Sequence, residues 1–266
     1  MMLPTFVGIG AQRAGTTWIH QCLREHPEVC VPHVKKELHF FNRHYDSGLD
    51  WYLSQFVVLP QHKAIGEITP NYLNSEVAVP RMAEVLPDAR LFVVLREPVD
   101  RAYSAYRLLH EQYEGVSFRK ACENSTLVPL GMYADQIARV FRYYRPDQVR
   151  VCLYDDLVAA PLRFIQDLYA FLGVDPTFSP SSVEVRYNRV IYPTGQTWLT
   201  RLQLAWLVKA VKKTALGNWF RRLHATTGGG LEDGASDADI RHLKRLFHDD
   251  LLRLQTLIGR DLSHWM

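Results

Sequence analysis

Two stretches of this 266-residue chain have the residue types and spacing to hold anions. Gly10-Ala11-Gln12-Arg13-Ala14-Gly15-Thr16-Thr17 carries the GxxxxG skeleton of a phosphate-binding loop. Glycines let a backbone wrap an oxyanion, and free N–H groups at the start of a following helix point at it. The lysine that ordinarily follows the second glycine is replaced by Thr16, and the cation stands inside the loop at Arg13. A tight strand-to-helix connection would also account for the glycines. The second stretch is Leu95-Arg96-Glu97-Pro98-Val99-Asp100-Arg101-Ala102-Tyr103-Ser104. Arg96 could give a phosphate a charge-assisted hydrogen bond, and Ser104 a hydroxyl bond. An ordinary ion pair of Arg96 with Glu97 or Asp100 is the plainer alternative. Together the stretches suit a nucleotide with separated phosphates. A magnesium-dependent kinase needs a loop lysine and an aspartate at the end of a nearby strand. Here that strand ends in Arg96, which weighs against a kinase.

Strands and helices must bring these residues together. Phe6–Gly10 reads as a buried strand, followed by a helix over 16–25 with Trp18, Ile19, Cys22 and Leu23 at helical spacing and a stop at His26-Pro27. Residues 64–68 read as a second strand and 76–86 as a helix. Residues 91–95 form the clearest strand, being continuous, apolar and rich in β-branched residues. Helices are expected over 101–113, 132–144 and 161–172, with a strand over 149–154. Continuous apolar strands alternating with helices predict an α/β fold with a mostly parallel central sheet flanked by helices. Residues 175–197 read as loop. A final helix is expected from Ser236, an N-cap type, with Asp237 and Asp239 complementing its dipole. Leu243, Leu246, Phe247, Leu251, Leu254 and Leu257 are its expected core face. With no boundary signal, the expectation is a single domain over 1–266: a core of about 5–175, then a loop and C-terminal helical extension over about 176–266.

Composition narrows the function. Thirty-one basic residues against 28 acidic ones give a net charge of +3, too mild for a nucleic-acid partner. Four scattered cysteines without a CxxC pair fit a reduced compartment better than a disulfide scaffold or a zinc site. The first residues lack a basic n-region and a long apolar stretch, and no run of about 18 apolar residues occurs. A soluble, cytoplasmic location is expected. Residues 197–224 are apolar and basic, with Trp198, Trp206 and Trp219 among Arg201, Lys209, Lys212, Lys213, Arg221 and Arg222. This stretch reads equally as an anionic-surface or peripheral membrane contact or as helices packed on the domain. Oligomeric state is not legible.

The chain resembles the sulfotransferases that use 3′-phosphoadenosine 5′-phosphosulfate (PAPS). Gly10 to Trp18 is similar to their 5′-phosphosulfate loop, and Leu91 to Ser104 to their 3′-phosphate motif. Lys36-Glu37-Leu38-His39-Phe40-Phe41 resembles the Lys-Glu-x-x-Phe-Phe segment of the heparan sulfate glucosaminyl 3-O-sulfotransferase branch. Glu67-Ile68-Thr69-Pro70-Asn71-Tyr72 resembles the Glu-x-(Ser/Thr)-Pro-x-Tyr that follows it there. Gly131-Met132-Tyr133 and the stretch from Tyr154 to Gly173 match in order and spacing. The likeness covers roughly residues 5–175. One departure is Arg13, where the family usually has lysine.

The resemblance implies a P-loop, nucleotide-kinase-like fold and metal-free sulfuryl transfer from PAPS to an acceptor hydroxyl, leaving 3′-phosphoadenosine 5′-phosphate (PAP). Arg13, with Thr16, Thr17 and the backbone of Ala14 and Gly15, is expected to stabilise the leaving phosphate. Glu37 is expected to take the acceptor proton, with Lys36 holding the sulfonate or orienting Glu37. Lys35-Lys36-Glu37 would otherwise read as a solvated charge run, but it leads into Leu38, Phe40 and Phe41, which pull it inward. His39 is a rival base, or more simply a packed histidine. Glu67 is expected to orient the acceptor or Lys36. Tyr72 and Tyr133 line the pocket or belong to the core, and Asn188 and Arg189 cover the nucleotide. The acceptor is expected to be a carbohydrate or a glycosylated or lipid-linked small molecule. The alternatives are a P-loop kinase and an inactive nucleotide-binding or membrane-surface module.

Overall fold

A computed structural model describes residues 2–109, 112–184 and 235–266. The chain divides into two compact units, residues 1–187 with 237–266, and residues 188–236. The first unit holds five strands: β1 (Phe6–Gly10), β2 (Val29–Cys30), β3 (Ala64–Ile68), β4 (Arg90–Leu95) and β5 (Val149–Leu153). They form one sheet in the order β2-β3-β1-β4-β5, and every pairing is parallel. All residues of β1 and β3 are buried, as are all but the first of β4. Both faces of the sheet are therefore covered, which is what continuous apolar strands require.

The helices are α1 (Thr16–Glu25), α2 (Phe40–Arg43), α3 (Gly48–Leu53), α4 (Ala78–Val85), α5 (Pro98–Leu108), α6 (Phe118–Glu123), α7 (Tyr133–Tyr143), α8 (Tyr154–Ala159), α9 (Pro161–Leu172) and α10 (Asp237–Ile258). Helix α1 buries Trp18, Ile19, Cys22 and Leu23, the predicted stripe. Helix α9 ends at Gly173 in the left-handed conformation, also as predicted. Helix α5 covers 98–108 rather than the predicted 101–113. The Glu97 carboxylate caps it by accepting from Val99 N at 3.1 Å and Asp100 N at 2.6 Å, and Pro98 suits the first helical position. Tyr154 opens α8 instead of closing β5.

Helix α10 belongs to the same unit as the sheet and buries Leu243, Phe247, Leu251 and Leu254. Leu246 and Leu257 were expected there too, but they lie on its outer face, 47% and 37% exposed. The buried Asp250 carboxylate accepts from Tyr133 N at 2.8 Å and from Ala134 N at 3.2 Å, capping α7. All four cysteines are buried and unpaired. Among the described residues no helix is long and apolar enough to cross a membrane. The basic stretch 197–224, Asn188 and Arg189 lie outside the described residues.

Candidate active site

From β1 the chain runs toward β2, and from β4 toward β5, so the direction of winding reverses between these two neighbours. Such a reversal opens a crevice at the carboxyl ends of the strands, the usual ligand site of an open α/β sheet. Both anion-binding stretches begin there, residues 11–15 after β1 and Arg96 after β4. Gly15 has φ +83°, and a Cβ on it would lie 3.1 Å from Leu157 and 3.3 Å from Tyr154. The positive φ favours glycine at that point, and the neighbours leave little room for a side chain. No side chain caps α1, and its first turn carries no acid. Its first-turn N–H groups and positive dipole end therefore face the crevice without an internal anion.

Arg13 has φ +68°. Its Nε donates to Ser104 Oγ at 3.1 Å. Arg96 Nη1 donates to the Arg13 carbonyl at 3.2 Å, and its guanidinium lies over the Tyr154 ring, 4.8 Å from the centroid. Arg13, Arg96 and Ser104 thus make one cationic group with Tyr154 beneath it. The ion pair of Arg96 with Asp100 is long, 3.9 Å, and Asp100 is exposed, while Glu97 is occupied as a helix cap. The plainer reading of Arg96 is therefore not its main role.

The cation at the α1 end is Lys36. Its Nζ donates to Thr16 Oγ1 at 3.3 Å and to Glu37 Oε1 at 2.8 Å. The other oxygen of Glu37 lies 3.5 Å from His39 Nε2. Burial, then the charge of Arg43, holds the His39 imidazole below its ordinary pKa, so at neutral pH it is a neutral neighbour of the carboxylate. Half-buried Lys36 and partly exposed Glu37 bring a carboxylate and an ammonium to the helix end where the glycine loop points. His20, one turn beyond Thr16, is buried. Burial first, and then Lys36 and Arg24, lowers its pKa to about 4. Sequence reading missed it, and helical spacing from Thr16 was the available signal.

Four other expected residues sit behind the site. Glu67, Tyr72 and Tyr133 are 0% exposed. Glu67 bonds to Thr69, Tyr72 and the Leu38 backbone and makes no bond to Lys36. The Tyr133 hydroxyl donates to the Arg96 carbonyl at 3.0 Å, fixing the residue whose guanidinium faces the crevice. The Trp18 indole donates to Ser182 O at 2.9 Å and packs on Phe164, leaving only its backbone at the cradle. Tyr154, Thr69 and His20 are contributors not singled out from sequence.

A glycine loop at the switch point of a parallel sheet, ringed by cations, with a carboxylate in reach of one of them, defines a class. It is an α/β protein with a candidate anion-binding crevice at the switch point of its parallel sheet. Residues 4–192 match the family model described as sulfotransferase domain, and the chain belongs to that family. Human bifunctional heparan sulfate N-deacetylase/N-sulfotransferase 3 is 33% identical over 204 residues, covering 67% of this chain and 23% of that protein. The membrane-associated sulfotransferase kil1 of Dictyostelium discoideum is 39% identical over 109 residues, 40% of this chain and 23% of that one. The chain thus spans about a quarter of the length of these curated relatives. Among solved structures, a sulfotransferase from Alicyclobacillus acidocaldarius superposes with a TM-score of 0.75 at 26% identity, covering 100% of this chain and 99% of that one. Family membership sets the kinase alternative aside.

Proposed function

We propose that this protein transfers a sulfuryl group from PAPS to an acceptor hydroxyl, with Glu37 as the base. The observation that carries the proposal is Lys36, whose ammonium touches both Thr16 at the start of α1 and the Glu37 carboxylate. One cation thereby joins the place for a donor phosphate to a group that accepts a proton. The residues fit PAPS, which has phosphates at both ends of its ribose. Arg13, Arg96 and Ser104 meet the 3′-phosphate, and Arg96 Nε is a buried donor with no protein partner among the described residues. The amides of α1, Thr16, Thr17 and Lys36 meet the 5′-phosphosulfate. In transfer, the acceptor oxygen bonds to sulfur as the bond from sulfur to the bridging oxygen breaks, and PAP departs. Lys36 and the helix amides oppose the charge that grows on that leaving phosphate. Glu37 takes the acceptor proton, the role of a general base.

The acceptor is proposed to be a carbohydrate, supported by relatives whose names specify heparan sulfate. Those names also specify N-sulfation, which favours a second reading with a sugar amine as acceptor. The test is transfer of label from [35S]PAPS to O-desulfated heparan sulfate, to N-desulfated heparan sulfate and to simple glycosides, with the wild type and Glu37→Gln. Transfer by the wild type that is lost in Glu37→Gln supports the reading. Undiminished transfer by Glu37→Gln removes Glu37 as base, and binding of PAP without transfer to any acceptor favours an inactive nucleotide-binding module.

A further inference from the structure

The segment carrying Glu37 is held in an unusual way. Glu67 lies near the end of β3, fully buried. Its carboxylate accepts from Thr69 Oγ1 at 2.6 Å, from the Tyr72 hydroxyl at 2.7 Å and from Leu38 N at 3.3 Å. Thr69 Oγ1 accepts from His39 N, and the Tyr72 hydroxyl accepts from Phe41 N, each at 3.4 Å. Three backbone amides just after Glu37 therefore end on three side chains from one short stretch, residues 67–72. His39 has φ +54°, a conformation a non-glycine residue keeps only when its surroundings impose it. Phe40 and Phe41 anchor the far side, with Phe40 stacked on Tyr52 at 4.4 Å and Phe41 edge-on to Tyr72 at 5.6 Å.

Burying a carboxylate is costly unless its hydrogen bonds are complete. Three donors converge on this one, and its neighbours pass the hold on to the backbone. We propose that Glu67, Thr69 and Tyr72 form a clamp that positions the Glu37 carboxylate against Lys36 for proton removal. The inference rests on the reading of Glu37 as base, and the three clamp members are positioning residues.

An ionised carboxylate only accepts hydrogen bonds. Once protonated, Glu67 must donate toward Thr69 or Tyr72, whose hydroxyls now point at it. The clamp is complete only in the ionised form. Burial lifts the Glu67 pKa to about 7. The titratable groups packed against it are the phenols of Tyr52 and Tyr72, which burial holds well above their ordinary range.

The test uses the full chain with [35S]PAPS, read both as transfer to desulfated heparan sulfate and as slow release of labelled sulfate to water. Glu67→Gln, Thr69→Val and Tyr72→Phe should each lower kcat about 10- to 100-fold, the scale expected when a reacting group is misplaced by about an ångström. PAP affinity by calorimetry should stay within about twofold, because the clamp touches no donor-side residue. Thr69→Ser, which keeps the hydroxyl, should restore most of the rate. The acid limb of the kcat profile, near pH 7 in the wild type, should move when Glu67 is replaced. In a Glu37→Gln background the clamp substitutions should have no further effect. If Glu67→Gln fails to fold, Thr69→Val and Tyr72→Phe carry the test with the carboxylate in place. The clamp is overturned if both keep wild-type kcat, or if their losses persist in full on Glu37→Gln. A Glu37→Gln variant with wild-type kcat would instead bring down the reading of the base, a distinguishable outcome.

Discussion

Replacing Arg96 with alanine removes a guanidinium held from two sides. It donates to the Arg13 carbonyl at 3.2 Å and lies over the Tyr154 ring at 4.8 Å, while the backbone carbonyl of residue 96 accepts from Tyr133 at 3.0 Å and is kept in the variant. Its side chain is 22% exposed, so a phosphate bound to it would be largely shielded from water. A hydrogen bond to a charged group contributes about 1.5–3 kcal/mol, so losing it should weaken a ligand with a 3′-phosphate about 10- to 150-fold. Part of the loss will be indirect, because the Arg13 carbonyl also loses its donor and the glycine loop loosens. That part falls equally on ligands without a 3′-phosphate. The decisive quantity is therefore a ratio, measured by calorimetry with PAP and with AMP on the wild type and Arg96→Ala. PAP affinity should fall at least about tenfold more than AMP affinity. Equal losses for the two nucleotides would refute the assignment of Arg96 to the 3′-phosphate. Arg96→Lys should be intermediate, since lysine keeps the charge but loses the fork that holds Arg13 and the phosphate together.

Three further outcomes follow from the same geometry. Lys36→Met should lower kcat about 100-fold or more while PAP binding changes little, as expected for a charge needed chiefly in the transition state; a rise in KM alone would make Lys36 a ground-state clamp. His20 has a folded-state pKa of about 4 against 6.5 unfolded, so the unfolded chain binds the extra proton between those values. Stability from this group is complete above pH 6.5 and declines as pH falls toward 4, by up to about 1.4 kcal/mol per pH unit. Glu67 acts in the opposite sense over the same window. Denaturant titrations of His20→Gln should show a shallower loss toward acid than the wild type, and an unchanged slope would count against the buried neutral imidazole. Asp250→Asn should destabilise by about 1–2 kcal/mol through the weakened α7 cap, lowering Tm by roughly 2–8 °C, and an unchanged melt would show that the cap is dispensable.

Much of the scaffold was legible because it depends on local pattern. The runs at 6–10 and 91–95 are apolar throughout, as strands buried on both faces usually are, and 64–68 departs from that only at Glu67. Leu172-Gly173 ends a helix as its glycine predicts. Strand β2, with two residues, and α2, with four, are too short for any period to register. Tertiary contacts hold them, such as the bonds from 67–72 to 38–41. Leu246 and Leu257 have helical spacing but lie at the edges of the stripe, where spacing alone does not decide burial. For the candidate site, residue types and positions picked out two groups that the structure brings into contact, Arg13 with Arg96 and Ser104, and Lys36 with Thr16 and Glu37. Direction was not legible. That Arg13 bonds Ser104 depends on packing between residues 91 positions apart. The burial of Glu67, Tyr72 and Tyr133 depends on what packs over them.

The central claim is that one nucleotide bridges the two cationic groups at the switch point. A crystal structure of the protein with PAP tests it most directly. The account predicts the 3′-phosphate within hydrogen-bond distance, about 3 Å, of Arg96 and Ser104, and the 5′-phosphate on the first-turn amides of α1 beside Thr16 and Lys36. PAP seated outside the crevice between β1 and β4, or bound in it with its two phosphates exchanged, would contradict the account.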